Sequence, residues 1–166
     1  RGLLEVSVVT DDGDQVMGIA LNDIMIASEK PGKNLDFTVS LGDHHVFRHH
    51  ADGFLVATPT GSTAYTLSAG GPIIHPSLDV HLLTPICSHR LTTRPIVIAP
   101  DTVVTIELVS LVHRSAVVCA DGTSVCSLPP GGKIIIKQSR QKLTLLHPKD
   151  YDFLTTAQAK LHWEHQ

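Results

Sequence analysis

The fold is decided by one stretch, Ala51–Pro76, which reads ADGFLVATPTGSTAYTLSAGGPIIHP. Its apolar run Phe54–Ala57 predicts a buried strand that ends at a Thr-Pro pair, because proline has no N–H for a sheet ladder. The small-residue turn Thr60–Thr63 follows, and a helix is predicted from Ala64 to Ala69, before a Gly-Gly-Pro stop. This order of strand, glycine turn and helix predicts a polar, uncharged ligand site at unpaired N–H groups and the positive end of the helix.

Hydroxyl side chains are unusually dense in this turn and helix. They are Thr58, Thr60, Ser62, Thr63, Tyr65, Thr66 and Ser68. Hydroxyls both donate and accept hydrogen bonds, which suits the hydroxyls and amide of a nucleoside. Neither a phosphate loop with its lysine nor a nucleophile elbow fits the stretch. Residue chemistry alone leaves open the alternative that the hydroxyls only cap the first turn of the helix.

Length and composition favour one domain over residues 1–166 with a small-molecule partner. The net charge is −3 with neutral histidines and only 17% of residues are charged, which argues against nucleic acid or an anionic membrane as partner. Neither a membrane-spanning run nor a signal peptide is recognisable, so a cytoplasmic protein is predicted. The first residues already have a strand pattern, and we expect that something preceded Arg1.

The remaining patterns are mostly those of short strands separated by glycine and aspartate turns, as in a sandwich or layered sheet. A helix is predicted after Asp152, the expected N-cap, since Phe153, Ala157 and Leu161 recur every four residues. The fold class is therefore mainly β, with a short central helix and a C-terminal helix. Strands are predicted at residues 4–8, 16–20, 24–26, 37–41, 45–48, 54–57, 80–84, 96–99, 103–108, 115–120, 124–128, 134–136 and 143–146.

Histidine and cysteine residues do not predict a designed metal site. The segment HHVFRHH, residues 44–50, could place His45 and His49 on one face of a helix, but it is predicted to be a strand. Residues four apart on a strand are separated by about 13 Å, too far to share a metal ion. The three cysteines lack C-x-x-C spacing and are predicted to be reduced core residues. They are Cys87, Cys119 and Cys126.

Several strings, in order along nearly the whole chain, resemble those of the NAD kinase family. They are Asp52-Gly53, Thr58–Tyr65, Leu67–Pro72, Leu21-Asn22-Asp23, Arg94–Val97, His147–Tyr151 and Lys160–Trp163. The resemblance implies the β-sandwich-like C-terminal domain of NAD kinase. It also implies that the N-terminal α/β domain that binds ATP is absent from this chain.

The resemblance implies that Asn22 and Asp23 contact the ribose and nicotinamide end of NAD, whereas an Asx turn is the alternative from the residues alone. Aspartate stands where the family usually has glutamate, which shortens the reach by about 1.5 Å. Asp52 and Ala64 would face the nicotinamide carboxamide, and this ligand can belong to a neighbouring subunit. The nucleotide site would be lined by Thr60, Thr63, Tyr65 and Ser68. In the turn Asp121–Thr123, threonine replaces the usual glutamine, so no ligand contact is assigned there.

The family reaction is ATP + NAD → ADP + NADP, with Mg²⁺ expected. A Gly-Gly-Asp-Gly-Thr loop in the N-terminal domain of the family holds the phosphates and supplies the catalytic aspartate, and it does not occur in this chain. Since phosphoryl transfer depends on positioning and charge neutralisation, the chain should bind NAD or NADP without catalysing transfer. ATP or polyphosphate would be bound through the missing domain, and a homo-oligomer, dimer or tetramer, is expected. The alternative is a stand-alone NAD(P)-sensing, regulatory or oligomerisation module derived from the kinase fold.

Overall fold

Twelve strands form two antiparallel sheets in the computed structural model, which describes residues 1–30, 32–88, 93–109 and 114–162. The strands are β1 (Gly2–Thr10), β2 (Gly13–Ala20), β3 (Asp23–Ser28), β4 (Leu35–Leu41), β5 (His44–Ala51), β6 (Gly53–Ala57), β7 (His81–Ile86), β8 (Ile96–Ile98), β9 (Val104–Leu108), β10 (Ala116–Ala120), β11 (Thr123–Leu128) and β12 (Lys133–Lys142). One sheet has the order β2-β1-β12-β9-β4-β5, and the other has the order β11-β10-β3-β6-β7-β8.

The core lies between the two sheets. Strand β9 shows the alternation that produces it, because Val104, Ile106 and Leu108 are at most 2% exposed whereas Glu107 between them is exposed. Phe37 on β4 and Phe54 on β6 meet edge to face across the core, with ring centroids 5.6 Å apart. The sequence-based prediction of a mainly β, sandwich-like fold with few helices is confirmed.

Strand β6 lies at the centre of the second sheet, between β3 and β7, and all five of its residues are buried. It leads into a 3-10 turn at Thr60–Thr63 and then into helix α1 (Tyr65–Ser68), which is a single turn. The helix is shorter than predicted because Ala64 has non-helical φ and ψ of −97° and −131°. At its other end Gly71 packs so closely that a Cβ there would lie 2.4 Å from Cγ2 of Thr66.

Several strand predictions differ from the structure in their bounds, and two of the differences have a clear cause. β7 runs through Pro85 to Ile86, because β8 pairs with β7 only at residues 81–83 and leaves the later residues without a partner on that side. Leu143–Leu146 are not a strand, because β1 pairs with β12 only as far as Gly2 and Lys142. Beyond that point the Leu143 N–H donates to the Arg1 carbonyl at 3.0 Å and the chain leaves the sheet.

Helix α2 (Phe153–Leu161) confirms the predicted C-terminal helix and its N-cap. The Thr155 N–H donates to the Asp152 carboxylate at 2.7 Å, and this hydrogen bond lowers the pKa of Asp152. Segment 44–50 forms most of β5, as predicted, and not a helix. The last residue of the string Lys160–Trp163 falls outside the described residues. Within the described ranges, neither helix has the length and apolar character needed to span a bilayer.

Candidate functional site

A turn at Leu21–Asp23, between β2 and β3, is held in place by a single carboxylate. The backbone N–H groups of Leu21, Asn22 and Asp23 donate to the Asp121 side chain at 2.8, 2.7 and 3.2 Å. The Asp121 N–H returns a hydrogen bond to the Asp23 carbonyl at 3.0 Å. Because charged acceptors make strong hydrogen bonds, the backbone around Asn22 is held rigidly against the β10–β11 hairpin.

The turn after β6 lies directly against this segment. The Thr58 N–H donates to the Asn22 carbonyl at 2.9 Å, and the Thr58 hydroxyl donates to the Leu21 carbonyl at 2.6 Å. Gly61 sits so close that a Cβ on it would lie 2.0 Å from the Asn22 carbonyl oxygen. Only glycine allows this approach, which holds the turn Thr60–Thr63 against Asn22.

The hydroxyl cluster divides into two groups with different roles. Thr58, Ser62 and Thr66 are at most 1% exposed and therefore belong to the protein interior. Ser62 accepts from the Ile74 N–H at 2.9 Å and donates to the Pro59 carbonyl at 2.6 Å, so its hydroxyl holds the turn together. The hydroxyls that remain open to a ligand are those of Thr60, Thr63, Tyr65 and Ser68.

The positive helix end is weaker than predicted. Helix α1 has four residues, so it carries no appreciable dipole, and three N–H groups of the turn before it are bonded within the turn. Gly61 N–H donates to the Thr58 hydroxyl at 3.2 Å, Ser62 N–H to the Thr58 carbonyl at 3.1 Å, and Ala64 N–H to the Gly61 carbonyl at 2.9 Å. The turn can therefore contact a ligand mainly through the side chains on its exposed face.

Asp23 is unusual among the residues of this turn because its carboxylate is buried. Its side chain is 6% exposed, and burial together with the nearby Asp121 charge raises the pKa of Asp23 to about 6. Burial, with Asp23 nearby, also raises the pKa of the Cys119 thiol. A buried carboxylate beside a second one destabilises the fold, so stability does not explain its presence at this position.

The predicted site residues do not all come together within one chain. Asn22, Asp23, Thr60, Thr63, Ala64, Tyr65 and Ser68 lie on the turn and helix at one end of β6 or on the segment packed against them. Asp52 lies at the other end of β6, where its N–H donates to the Ile86 carbonyl at 3.0 Å. Thr58 follows Asp52 by six positions of extended chain, a distance of about 20 Å.

A cavity of about 340 Å³ opens on the outer side of Thr60 and Thr63. Its opposite wall is formed by helix α2 and the segment before it, including Tyr151, Phe153 and Lys160. The turn Thr60–Thr63, hereafter the hydroxyl turn, therefore borders a space large enough for part of a small ligand.

Asp121 is the site residue that the sequence did not reveal. The Asp-Gly pair indicated only a tight turn, and Asp121 does adopt the left-handed conformation of such a turn, with a φ of 46°. Its second role depends on the three N–H groups of a segment about one hundred residues earlier, which no local pattern can show.

Comparisons with known proteins agree with this architecture. Residues 21–147 match the family model described as the ATP-NAD kinase C-terminal domain. The NAD kinase of Cupriavidus pinatubonensis is 42% identical over 163 residues, which cover 98% of this chain and 53% of that protein. The NAD kinase of Coxiella burnetii is 40% identical over 166 residues, covering 99% of this chain and 55% of that protein. The chain thus spans about half the length of these curated relatives.

Solved structures give the same result. Yeast NADH kinase complexed with NADH superimposes with a TM-score of 0.90 at 28% identity, covering all of this chain and 49% of that one. The NAD kinase of Archaeoglobus fulgidus in complex with ATP gives a TM-score of 0.68 at 33% identity, covering 84% of this chain and 52% of that one. Sequence and fold together establish that this chain belongs to the NAD kinase family, as its C-terminal domain.

Proposed function

We propose that this chain is the NAD-binding part of an NAD kinase, which transfers the terminal phosphate of ATP to the adenosine 2′-hydroxyl of NAD. The observation that carries the proposal is the close packing of Gly61 against Asn22, which holds the turn Thr60–Thr63 against the Leu21–Asp23 segment. Family membership and the NADH complex of the yeast relative support a dinucleotide as the ligand.

The residues proposed to bind NAD are suited to a ligand rich in hydroxyls and amides. Asn22 and Asp23 would serve the ribose and nicotinamide end, and Ala64 would lie against the carboxamide. The nucleotide would be contacted by the half-buried Thr60 and by the exposed side chains Thr63, Tyr65 and Ser68. A raised pKa of Asp23 fits a carboxyl that exchanges a hydrogen bond with a ligand hydroxyl.

Phosphoryl transfer is proposed to need a second part with the Gly-Gly-Asp-Gly-Thr loop, which this chain does not contain. The segment after β12 supports such a partner, because Leu143, Leu145 and Leu154 are 38–53% exposed and Leu146 is 92% exposed. The Mg²⁺ that the family resemblance implies is proposed to arrive with the phosphate donor, since the described residues hold no group of three potential ligands.

Asp52 is proposed to complete the NAD site of a neighbouring copy in a homo-oligomer. Within one chain it lies about 20 Å along the sheet from Thr58, too far to contact the same nicotinamide as Ala64. A symmetric dimer that places the start of β6 from one copy against α1 of the other would bring the two together.

The direct test of NAD binding is the substitution Asn22→Ala. We expect it to weaken the affinity for NAD by about 1–3 kcal/mol, because ligand hydroxyls lose their partner. Calorimetric titration of the wild-type and variant chains with NAD measures the change. Gln15→Ala, which removes an exposed amide from β2, serves as the control and should leave the affinity unchanged.

Phosphoryl transfer can be followed in the same samples. With ATP and Mg²⁺ the chain should form no NADP, and NADP should appear once the chain is joined to an N-terminal half that carries the missing loop.

The outcomes of the two experiments are distinguishable. An unaltered dissociation constant for NAD in Asn22→Ala would remove Asn22 from the site. If NAD binds but the joined protein forms no NADP, the chain is a sensing module instead. If NAD does not bind to the folded oligomer, it is an oligomerisation module.

Mixing two defective variants tests whether Asp52 acts across an interface. Asp52→Ala and Thr63→Ala chains should each bind NAD weakly, because every site lacks one contact. After unfolding and refolding together, random pairing should restore about a quarter of the sites, since half of the dimers are mixed and each has one complete site. Calorimetric stoichiometry measures this fraction, and no recovery in a mixed oligomer would place Asp52 outside its neighbour's site.

A further inference from the structure

The cavity between the hydroxyl turn and α2 is lined by two positive charges, those of Arg1 and Lys160, although the chain as a whole has a net charge of −3. Arg1, His147 and Lys160 all line it, and no aspartate or glutamate is among the described residues of its wall. Clusters of one sign in an enclosed space focus the electrostatic potential and attract a ligand of opposite charge. An anion is therefore the expected occupant.

The Arg1 guanidinium is only partly satisfied within the chain. Its Nη1 donates to the Pro76 carbonyl at 3.4 Å, and its Nη2 lies 3.5 Å from Nε2 of His147. Its Nε is buried and has no hydrogen-bond partner among the described residues. A buried donor without an acceptor is costly, and an oxygen of a bound anion would remove that cost.

Lys160 extends the same cationic wall from α2. It lies one helical turn after Thr156 and Ala157, which also line the cavity, so α2 presents this face toward the turn. Within the described ranges its ammonium group forms no ion pair. The imidazole of His147 is fixed by stacking on the Tyr151 ring, with centroids 3.9 Å apart.

We infer that Arg1, His147 and Lys160 bind the phosphate chain of the phosphate donor. The inference rests on the proposed function and extends it, because it assigns part of the donor site to this chain and not only to the missing half. Guanidinium and ammonium groups suit phosphate oxygens, which accept strong charge-assisted hydrogen bonds. Thr60 and Thr63 border the same cavity, so a polyphosphate held there lies next to the proposed NAD hydroxyls.

Inorganic tripolyphosphate and ATP are the two probes, because they share the phosphate chain and differ in the nucleoside. Each is titrated calorimetrically into the full chain at fixed ionic strength, for the wild type and for the double variant Arg1→Gln/Lys160→Gln. Arg48→Gln/Lys30→Gln, which removes the same two charge types from exposed positions elsewhere, is the matched control.

The double variant is expected to bind tripolyphosphate at least about tenfold more weakly than the wild type, and the control within about twofold of it. Tighter binding of ATP would assign the pocket to a nucleotide donor, and equal or tighter binding of tripolyphosphate would assign it to a polyphosphate chain; both support the inference. Equal tripolyphosphate affinities in the double variant and wild type, or no saturable binding of either probe, would overturn it.

NAD titrations of the same variants separate this inference from the proposed function. The affinity of the double variant for NAD should stay within about twofold of the wild-type value, because neither changed residue is proposed to contact NAD. If the wild type bound tripolyphosphate but not NAD, that result would contradict the proposed function but would still support an anion site in this cavity.

Discussion

Replacing Gly61 with alanine is expected to destabilise the fold by about 3 kcal/mol and to abolish nucleotide binding. The added Cβ would lie 2.0 Å from the Asn22 carbonyl oxygen, 2.5 Å from its carbonyl carbon and 2.8 Å from its Cα. These are backbone atoms, which cannot rotate away, and Asn22 is further held by Asp121. Relief therefore requires the turn after β6 to move away from the Leu21–Asp23 segment, which separates the two halves of the site.

Urea unfolding measures the loss of stability, and calorimetric titration with NAD measures the loss of binding. Gly2→Ala is the matched control, because its Cβ would approach only the flexible amide of Gln138, at 3.4 Å. A Gly61→Ala chain with wild-type stability and NAD affinity would show that the close approach of the two turns is dispensable.

Replacing Asp23 with asparagine is expected to stabilise the protein at neutral pH and to weaken NAD binding. The pKa of Asp23 rises from 3.8 to about 6 on folding, because the carboxylate is buried close to Asp121. The folded state therefore binds the proton more tightly than the unfolded state, so wild-type stability decreases as the pH rises from 3.8 to 6 and then levels off. A shift of this size corresponds to about 3 kcal/mol at pH 7, an upper limit for the gain in the variant.

The test is urea unfolding of both proteins between pH 3.5 and 7.5, a range of about four units that spans both pKa values. The difference in stability between Asp23→Asn and the wild type should be small near the lower limit, grow through the middle of the range and then stay constant. Asp12→Asn, in the exposed turn between β1 and β2, should show no such growth. A pH-independent difference for Asp23→Asn would mean that the carboxyl does not titrate across this range in the folded state.

Asp23 and Gly61 relate stability to function in opposite ways. A protein selected for stability alone would gain from an uncharged residue at position 23, yet a buried carboxylate is present there. Gly61, by contrast, is needed by both the fold and the site, since it joins the two segments that form the proposed NAD contacts.

Local patterns in the sequence predict the fold well because most of its elements depend on neighbouring residues. The alternation of Val104, Ile106 and Leu108 identifies β9, and the N-cap Asp152 identifies the start of α2. The errors occur where a distant partner decides the outcome. Leu143–Leu146 have a strand-like composition, but the pairing of β1 with β12 stops at Gly2 and Lys142 and the chain then leaves the sheet, which cannot be read from the segment itself.

The site was less predictable than the fold for the same reason. Thr58, Ser62 and Thr66 have the same chemistry as Thr60 and Thr63, and only the packed structure separates buried hydroxyls from open ones. The hydrogen bonds from three N–H groups to Asp121 join segments about one hundred residues apart. Contacts between such distant segments produce no hydrophobic periodicity and no motif spacing in a single sequence.

The most direct measurement is the amide proton–nitrogen NMR spectrum of the isotope-labelled chain during titration with NAD. The expected result is a saturable shift of the resonances of Asn22, Asp23 and residues 60–68, with Asp52 also affected if the oligomer forms. Resonances in the β1–β2 turn at Asp11–Gly13 should not move. A folded chain whose spectrum does not change with NAD, or changes only at sites away from Asn22 and Thr63, would contradict the proposal that this turn binds the dinucleotide.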